Sequence, residues 1–447
     1  MPTAPMLQAG PSGRSSALTL SLSRVQFGAR AAAVEALSAV LRRRQALDDA
    51  LDLGGLDERD RAFARLLAAT TLRRLGQIDA LLRRCLEQPL PPRAAWAEDI
   101  LRLGACQLLF LGVAGHAAVD TAVEMTRAAG LAGHAKLVNA VLRRLGREGE
   151  SLVAAQDAER LNTPDWLWDS WSAAYGEAGC RAIAHAHLRE APLDFTVKGD
   201  AALWCGRLEA ELLPTGSLRR APGGSVTALP GYGDGAWWVQ DAAAALPARL
   251  LGDVRGQLVA DLCAAPGGKT AQLAAAGAEV IALDRSARRL ERLAANLARL
   301  GLTARVETLD AAAWTPPAPL DAVLLDAPCS ATGTLRRHPD ALWLKRPEDI
   351  VKLTRTQDRL LAAAAALLKP GGLLVYCTCS LQPEEGAARI EALLDGGAPL
   401  ARRPIAAAEV GGLADLITPA GDLRCLPYHL GEKGGMDGFY AARLQRL

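Results

Sequence analysis

From residue 256 onward the sequence alternates short apolar runs with amphipathic stretches, and this alternation constrains the fold more than any other feature of the chain. The pattern is typical of β-α-β units, in which parallel strands are joined by crossover helices. It predicts strands at residues 257–262, 279–283, 305–309, 321–325 and 373–378, with helices at 269–275, 287–299, 350–368 and 383–394. We therefore expect a doubly wound α/β domain over residues 236–447, with the tail 438–444 as an antiparallel edge strand.

The front of the chain follows a helical period instead. Apolar residues recur every three or four positions, and Pro/Gly breaks separate the periodic stretches. Helices are predicted at 31–44, from Asp57 onward, and at 78–85, 94–111, 117–128 and 135–145. This pattern predicts a compact all-α domain over residues 25–150, preceded by a Pro/Gly/Ser-rich disordered leader at 1–24. Its apolar segment 17–22 is too short and too rich in Ser for a signal peptide or a membrane span.

Residues 151–235 are mixed, and we interpret them as a small α/β linker subdomain. Residues 193–198 fit a strand, and 214–235 are rich in Pro and Gly, as connecting loops are. Trp166, Trp168 and Trp171 crowd one segment. Three Trp at this spacing could stack nucleic-acid bases, but a small core fixed by Trp side chains is the more common arrangement.

Charge and cysteine content limit the classes of function. The net charge is only +2, yet residues 1–150 carry 20 basic and 15 acidic side chains, which points mildly to a polyanionic partner. The nine cysteines lack a Cys-x-x-Cys pair or a Cys/His zinc pattern. We expect a reduced, cytoplasmic protein with no metal and no membrane segment.

A glycine-rich turn follows the first predicted strand and opens a helix, in Asp-Leu-Cys-Ala-Ala-Pro-Gly-Gly-Lys-Thr (261–270). Glycine lets the backbone approach a ligand closely. A Walker phosphate loop would need Gly where Cys263 stands, and a dinucleotide fingerprint would need a third Gly, so neither fits. Asp284 ends the second predicted strand, where a carboxylate can accept ribose hydroxyls, and Asp310 ends the third, where it could accept the adenine amino group. These positions predict S-adenosylmethionine as the cofactor.

Two cysteines follow the last two strands of the predicted sheet, in Asp326-Ala-Pro-Cys329-Ser and Thr-Cys379-Ser. A thiolate that adds to C6 of cytosine makes C5 nucleophilic enough to accept a methyl group. Asp326 is placed to hydrogen-bond or protonate N3, and a second thiol could help to remove the C5 proton. Buried cysteines are mostly inert, and we interpret Cys263 and Cys377 in that way.

These motifs, with Pro-Glu-Glu after Thr-Cys-Ser, resemble those of the RNA cytosine-C5 methyltransferases of the Sun/NOP type. Asp-Arg-Ala-Phe-Ala (60–64) and Lys-Leu-Val-Asn-Ala-Val-Leu-Arg (136–143) resemble the NusB-type RNA-binding domain. The resemblance implies a NusB-like helical domain joined to a Rossmann-like class I methyltransferase domain. It also implies 16S ribosomal RNA as the substrate, either naked or in an early assembly intermediate, for a monomeric enzyme.

The resemblance assigns roles to individual residues. It implies that Cys379 is the nucleophile, that Cys329 assists product release, and that the cofactor is held by one loop and three acids. These cofactor residues are Cys263, Ala264, Ala265, Pro266, Gly267, Gly268, Lys269, Asp284, Asp310 and Asp326. The segment Gln240-Asp241 matches the region before the fold proper, and Arg336, Arg337 and His338 are expected to face RNA.

Two other functions stay open at this point. The same chemistry could act on transfer RNA, because the motifs do not name the substrate. The chain could instead be a NusB-like assembly factor with an inactive methyltransferase fold. Intact Cys379, Cys329 and Asp326 argue against the second alternative.

Overall fold

The computed structural model describes residues 22–447, so residues 1–21 of the predicted leader lie outside the described residues. The N-terminal unit is all helical, as predicted. Its helices are α1 (Arg24–Arg43), α2 (Leu47–Ala50), α3 (Glu58–Arg73), α4 (Leu75–Cys85), α5 (Ala95–Leu109), α6 (Gly115–Ala128) and α7 (Ala135–Ala154). Asp57 caps α3, since its carboxylate accepts a hydrogen bond from the Asp60 N–H at 2.7 Å. The last helix runs nine residues beyond its predicted end at 145.

A small mixed subdomain follows. It contains α8 (Ala158–Leu161), α9 (Asp165–His187), α10 (Cys205–Leu208) and the strands β1 (Leu193–Val197), β2 (Glu211–Leu212), β3 (Leu218–Arg220) and β4 (Trp237–Val239). The four strands form an antiparallel sheet in the order β2-β3-β1-β4. Trp171 is fully buried and donates a hydrogen bond to Gln382 Oε1 at 2.8 Å, which confirms its interpretation as a core residue.

The C-terminal unit is built on a large sheet, which confirms the predicted α/β architecture. Its strands are β5 (Leu258–Leu262), β6 (Glu279–Asp284), β7 (Arg305–Thr308), β8 (Leu320–Asp326), β9 (Leu368–Thr378), β10 (Leu400–Arg402), β11 (Leu423–Cys425) and β12 (Phe439–Arg446). The order is β10-β12-β9-β8-β5-β6-β7, with β11 paired to β12. Strands β5 to β9 are parallel, and β12 runs antiparallel to β9, as expected of the tail.

Helices cover both faces of this sheet. They are α11 (Leu246–Arg249), α12 (Gly268–Ala275), α13 (Ala287–Leu300), α15 (Pro347–Leu367) and α16 (Ala387–Asp395). The short helix α14 (Ala341–Leu344) lies against α1 of the helical unit instead. The helix predicted at 383–394 begins later than expected. A 3₁₀ turn covers Pro383–Glu385, and the non-helical backbone of Gly386 (φ −118°, ψ −111°) separates that turn from α16.

The helical unit contacts the segment that follows Cys329. Trp343 Nε1 donates to the carbonyl of Leu72 at 2.9 Å, and the Leu47 N–H donates to Asp340 Oδ2 at 3.0 Å. Trp343 also packs against the apolar core of the helical unit. The two units are therefore joined through the chain that continues from one of the candidate catalytic cysteines. Among the helices at 22–447, none has the length and apolar character needed to cross a membrane.

Candidate active site

The candidate site lies along the carboxyl ends of β5 to β9, because the ends of parallel strands meet at one edge of a sheet. It has two parts. The cofactor half comprises residues 263–269 after β5, Asp284 at the end of β6 and Asp310 after β7. The catalytic half comprises Asp326 at the end of β8, with Cys329 and Cys379 in the segments that follow β8 and β9.

In the cofactor half, the turn after β5 needs glycine. Gly267 has φ +102°, and a Cβ at this position would lie 2.7 Å from Leu293 Cγ. The Ala264 N–H donates to the Leu283 carbonyl at 2.8 Å, which ties the turn to β6. Helix α12 then begins at Gly268, so its first N–H groups lie beside the turn.

Asp284 is the residue of this half whose side chain is best placed to bind a ligand. Its side chain is buried, and Oδ1 accepts a hydrogen bond from the Ser286 N–H at 2.9 Å. Oδ2 receives no hydrogen bond, although the Arg289 guanidinium lies 3.1 Å away. A buried carboxylate oxygen without a donor fits a ligand that brings hydroxyl donors, as a ribose does.

Asp261 provides a second unpartnered oxygen. Thr270 Oγ1 donates to Asp261 Oδ2 at 2.6 Å, whereas Oδ1 is buried without a partner. Burial raises the pKa of this carboxyl to about 7. Asp261, Gly267, Gly268 and Lys269 line one cavity of about 510 Å³, which also reaches Asp326. These residues fit the adenosyl cofactor that the sequence predicts.

Asp310 is differently placed. Its Oδ2 accepts a hydrogen bond from Arg359 Nη1 at 2.9 Å, and its side chain is 41% exposed. It shares a smaller cavity with Asp284, Cys263 and Pro328, which is separate from the cavity that reaches Asp326. Its predicted contact with adenine stays a prediction.

In the catalytic half, the structure brings the two thiols together. Cys329 Sγ and Cys379 Sγ are 3.4 Å apart, although 50 positions separate them in the chain. The hydrogen bond to Cys379 and burial raise the pKa of Cys329 well above its usual value. Cys329 therefore keeps its proton, and its thiol is in hydrogen-bond contact with Cys379, where either sulfur can be the donor.

Asp326 lies between two further groups. Its Oδ2 is 2.7 Å from Lys269 Nζ, and its Oδ1 is 3.6 Å from Cys377 Sγ. Burial alone would lower the pKa of Lys269, but Asp326 and the neighbouring thiols outweigh it and raise the pKa. Cys377 is fully buried, and burial raises its pKa, so it stays a protonated thiol behind Asp326.

The sequence did not predict where the side chains of Lys269 and Glu385 lie in the site. Lys269 belongs to the cofactor turn, yet its ammonium points to Asp326 and lies 4.8 Å from the centre of the Phe439 ring. Glu385 is fully buried beneath both cysteine segments. The only sequence signal for Glu385 is its place in Pro-Glu-Glu, where an exposed helix start is the ordinary interpretation.

The expectation that Arg336 faces RNA is wrong, whereas the same expectation for Arg337, which is 23% exposed and lines the larger cavity, stays a prediction. Arg336 is 2% exposed and lies 3.2 Å from Asp437 Oδ1, while Arg337 Nη2 lies 2.6 Å from Asp241 Oδ2. The acids that hold them come from positions about 100 residues away in sequence, so the Arg-Arg pair alone gave no sign of burial. His338 is about half exposed at the rim of the larger cavity.

Comparisons with known proteins find relatives of both the N-terminal helical unit and the C-terminal unit. A family model described as 16S rRNA methyltransferase RsmB/F matches residues 248–445, and the NusB family model matches residues 28–147. Ribosomal RNA small subunit methyltransferase B of Pseudomonas putida is 37% identical over 439 residues, covering 94% of this chain and 98% of that protein. The probable enzyme of the same name from Synechocystis is 35% identical over 429 residues, covering 90% and 94%.

Solved structures agree on the fold. The crystal structure of a protein named PH0851 superposes with a TM-score of 0.73 at 23% identity, covering 94% of this chain and 98% of that one. A methyltransferase homolog from Pyrococcus horikoshii gives a TM-score of 0.52 at 27% identity, covering 68% of this chain and 98% of that one.

Proposed function

Because this chain belongs to the RsmB/F family of S-adenosylmethionine-dependent methyltransferases, we propose that it methylates C5 of a cytosine in 16S ribosomal RNA through a covalent adduct with Cys379. The observation that carries the proposal is the 3.4 Å contact between Cys379 Sγ and Cys329 Sγ. A site that only bound RNA would have no use for two thiols in contact at the edge of a cofactor cavity. The names of the relatives and the NusB match support ribosomal RNA as the substrate.

The first step is the addition of Cys379. Its thiolate forms a bond to C6 of the cytosine, the C5–C6 double bond opens, and C5 gains nucleophilic character. Cytosine N3 takes a proton in the same step. The proton passes from the Lys269 ammonium, whose Nζ donates to Asp326 Oδ2 at 2.7 Å, through Asp326 to N3, and it returns to this pair when the C6–S bond breaks.

The second step is the transfer. S-adenosylmethionine supplies an electrophilic methyl group when it is bound. The residues of the turn and Asp284 would hold it, while Cys379 holds the base through the C6–S bond. The target base must be turned out of its stack to reach this edge, which costs little in single-stranded RNA.

The third step is release. The C5 proton must leave before the C6–S bond can break, and Cys329 is the base nearest to that bond. Cys329 stays protonated at rest because its hydrogen bond with Cys379 and its burial raise its pKa. Once Cys379 is a thioether, that hydrogen bond is weakened, the largest cause of the raised pKa is reduced, and Cys329 can lose its own proton to solvent. The Cys329 thiolate then takes the C5 proton, the C5–C6 double bond forms again, and Cys379 leaves as a thiolate.

The test uses three RNAs and one labelled cofactor. The full chain is incubated with methyl-labelled S-adenosylmethionine and unmodified 16S ribosomal RNA, assembled small subunits or total transfer RNA, and 5-methylcytosine is then mapped. We expect methylation at one cytosine of 16S RNA. Transfer only to transfer RNA would overturn the substrate, and transfer to none of the three would overturn the enzymatic proposal.

A further inference from the structure

Glu385 is a fully buried carboxylate that no step above uses. It accepts hydrogen bonds from both segments that carry the catalytic cysteines. The Ser330 N–H lies 2.9 Å from Oε1, the Ser380 hydroxyl lies 2.6 Å from Oε2, and the Ser330 hydroxyl also donates to Oε2. Gln357 of α15 adds a fourth donor, with Nε2 3.1 Å from Oε1.

Two of the residues that donate to Glu385 are the immediate neighbours of the two cysteines in the sequence. Ser330 directly follows Cys329, and Ser380 directly follows Cys379. One carboxylate therefore joins the two residues that come next after the two thiols. The two serine hydroxyls are also 3.1 Å apart, and the Gly333 N–H donates to the Cys379 carbonyl at 2.9 Å.

The donors of the cluster need a hydrogen-bond acceptor on each oxygen of the Glu385 side chain. All four groups around Glu385 donate, and a carboxylate is an acceptor on both oxygens. A glutamine of the same shape keeps an acceptor on one side only: with its carbonyl toward the Ser330 N–H and Gln357, its NH₂ group faces the two serine hydroxyls, which lose a charged acceptor and must accept instead of donate. Both hydroxyls must then turn, the hydrogen bonds that join the two segments weaken, and the cysteine segments can move relative to each other.

We propose that Glu385 is a positioning residue that fixes the distance between Cys329 and Cys379, and this inference rests on the proposed function only for its consequence in catalysis. Glu385 lines neither of the two cavities of the site. It acts by holding the segment after β8 and the segment after β9 together. Release depends on this distance more than addition does, because Cys329 must reach the base that Cys379 holds.

The first test measures the thiol contact without RNA. Diamide oxidises two neighbouring thiols to a disulfide and is itself reduced to the hydrazine, so the rate reports how often the sulfurs meet. We expect Glu385→Gln to slow formation of the Cys329–Cys379 disulfide by about tenfold or more, as mapped by peptide mass spectrometry. The control is Glu384→Gln, which changes the exposed neighbour and should react like the wild type.

The second test measures turnover. Displacing a reacting group by about 1 Å can cost about 100-fold in rate, so kcat of Glu385→Gln should fall by about that factor. KM for S-adenosylmethionine and for RNA should stay within about threefold, because Glu385 contacts neither cavity. A covalent protein–RNA adduct should accumulate, since release is affected more than addition. Ser380→Ala should slow turnover less, and adding it to Glu385→Gln should change little.

The two tests distinguish a failure of the positioning role from a failure of the proposed function. If Glu385→Gln matches Glu384→Gln in disulfide rate and in turnover, the positioning role is overturned. If the disulfide rate falls but the wild type methylates none of the RNAs, the proposed function fails and the positioning role stands. If Glu385→Gln does not fold, as judged by thermal unfolding, Ser330→Ala carries the same comparison and wild-type rates in it would overturn the role.

Discussion

The cofactor half and the catalytic half of the sheet edge are built in opposite ways. The cofactor half leaves buried carboxylate oxygens of Asp261 and Asp284 without hydrogen-bond donors. The catalytic half satisfies Glu385 with four donors and holds its two sulfurs in contact within the protein. The first half is thus prepared to be completed by a ligand, whereas the second is organised before any substrate arrives. Substitutions in the cofactor half should therefore weaken cofactor binding, whereas substitutions in the catalytic half should lower the rate of turnover.

The largest expected effect comes from the nucleophile. In the proposed mechanism Cys379→Ala removes the group that adds to C6, so turnover should fall by about 10⁴-fold or more. Calorimetry should show unchanged affinity for S-adenosylmethionine, because Cys379 belongs to the catalytic half. Cys377→Ala is the matched control two positions away and should retain turnover within about tenfold. Equal losses in both variants would contradict the assignment.

Cys329→Ala should stop the reaction at a later point. Addition and methyl transfer can proceed, but the C5 proton stays in place and the adduct is not resolved. We expect a protein–RNA species that survives a denaturing gel and carries the labelled methyl group. If turnover is lost without such a species, Cys329 has no part in release.

The cofactor half should respond in affinity rather than in rate. Asp284→Asn removes a buried charged acceptor, and hydrogen bonds to charged groups contribute about 1.5–3 kcal/mol. The Kd for S-adenosylmethionine should therefore rise by about 10- to 100-fold, with kcat near the wild-type value at saturating cofactor. A fall in kcat with unchanged Kd would contradict the division into two halves.

Asp310→Asn should have the smallest effect. Its carboxylate is 41% exposed and already accepts a hydrogen bond from Arg359, so solvent and Arg359 weaken any contact with the cofactor. We expect the Kd to rise by about two- to fivefold in the same calorimetric measurement. A change as large as that of Asp284→Asn would show that Asp310 is a principal ligand.

The position of the cofactor half at the sheet edge could be predicted from the sequence because that half is local. Its predicted acids Asp284 and Asp310 end or closely follow a strand, and the need for Gly267 arises within one strand-turn-helix unit. The burial of Arg336 and the place of Glu385 depend on groups far apart in the chain, and a short motif does not report them. The strands β10 and β11, with three residues each, were also too short to show a period.

The covalent role of Cys379 is tested most directly with RNA that cannot complete release. In 16S RNA transcribed with 5-fluorocytidine, the target C5 carries fluorine instead of hydrogen, so no base can resolve the adduct after methyl transfer. Peptide mass spectrometry with fragment ions between the two thiols of Cys377-Thr378-Cys379 then locates the bound nucleotide. We expect the nucleotide to be bound covalently to Cys379. A nucleotide on Cys329 or Cys377, or no adduct with RNA that is methylated in its natural form, would contradict it.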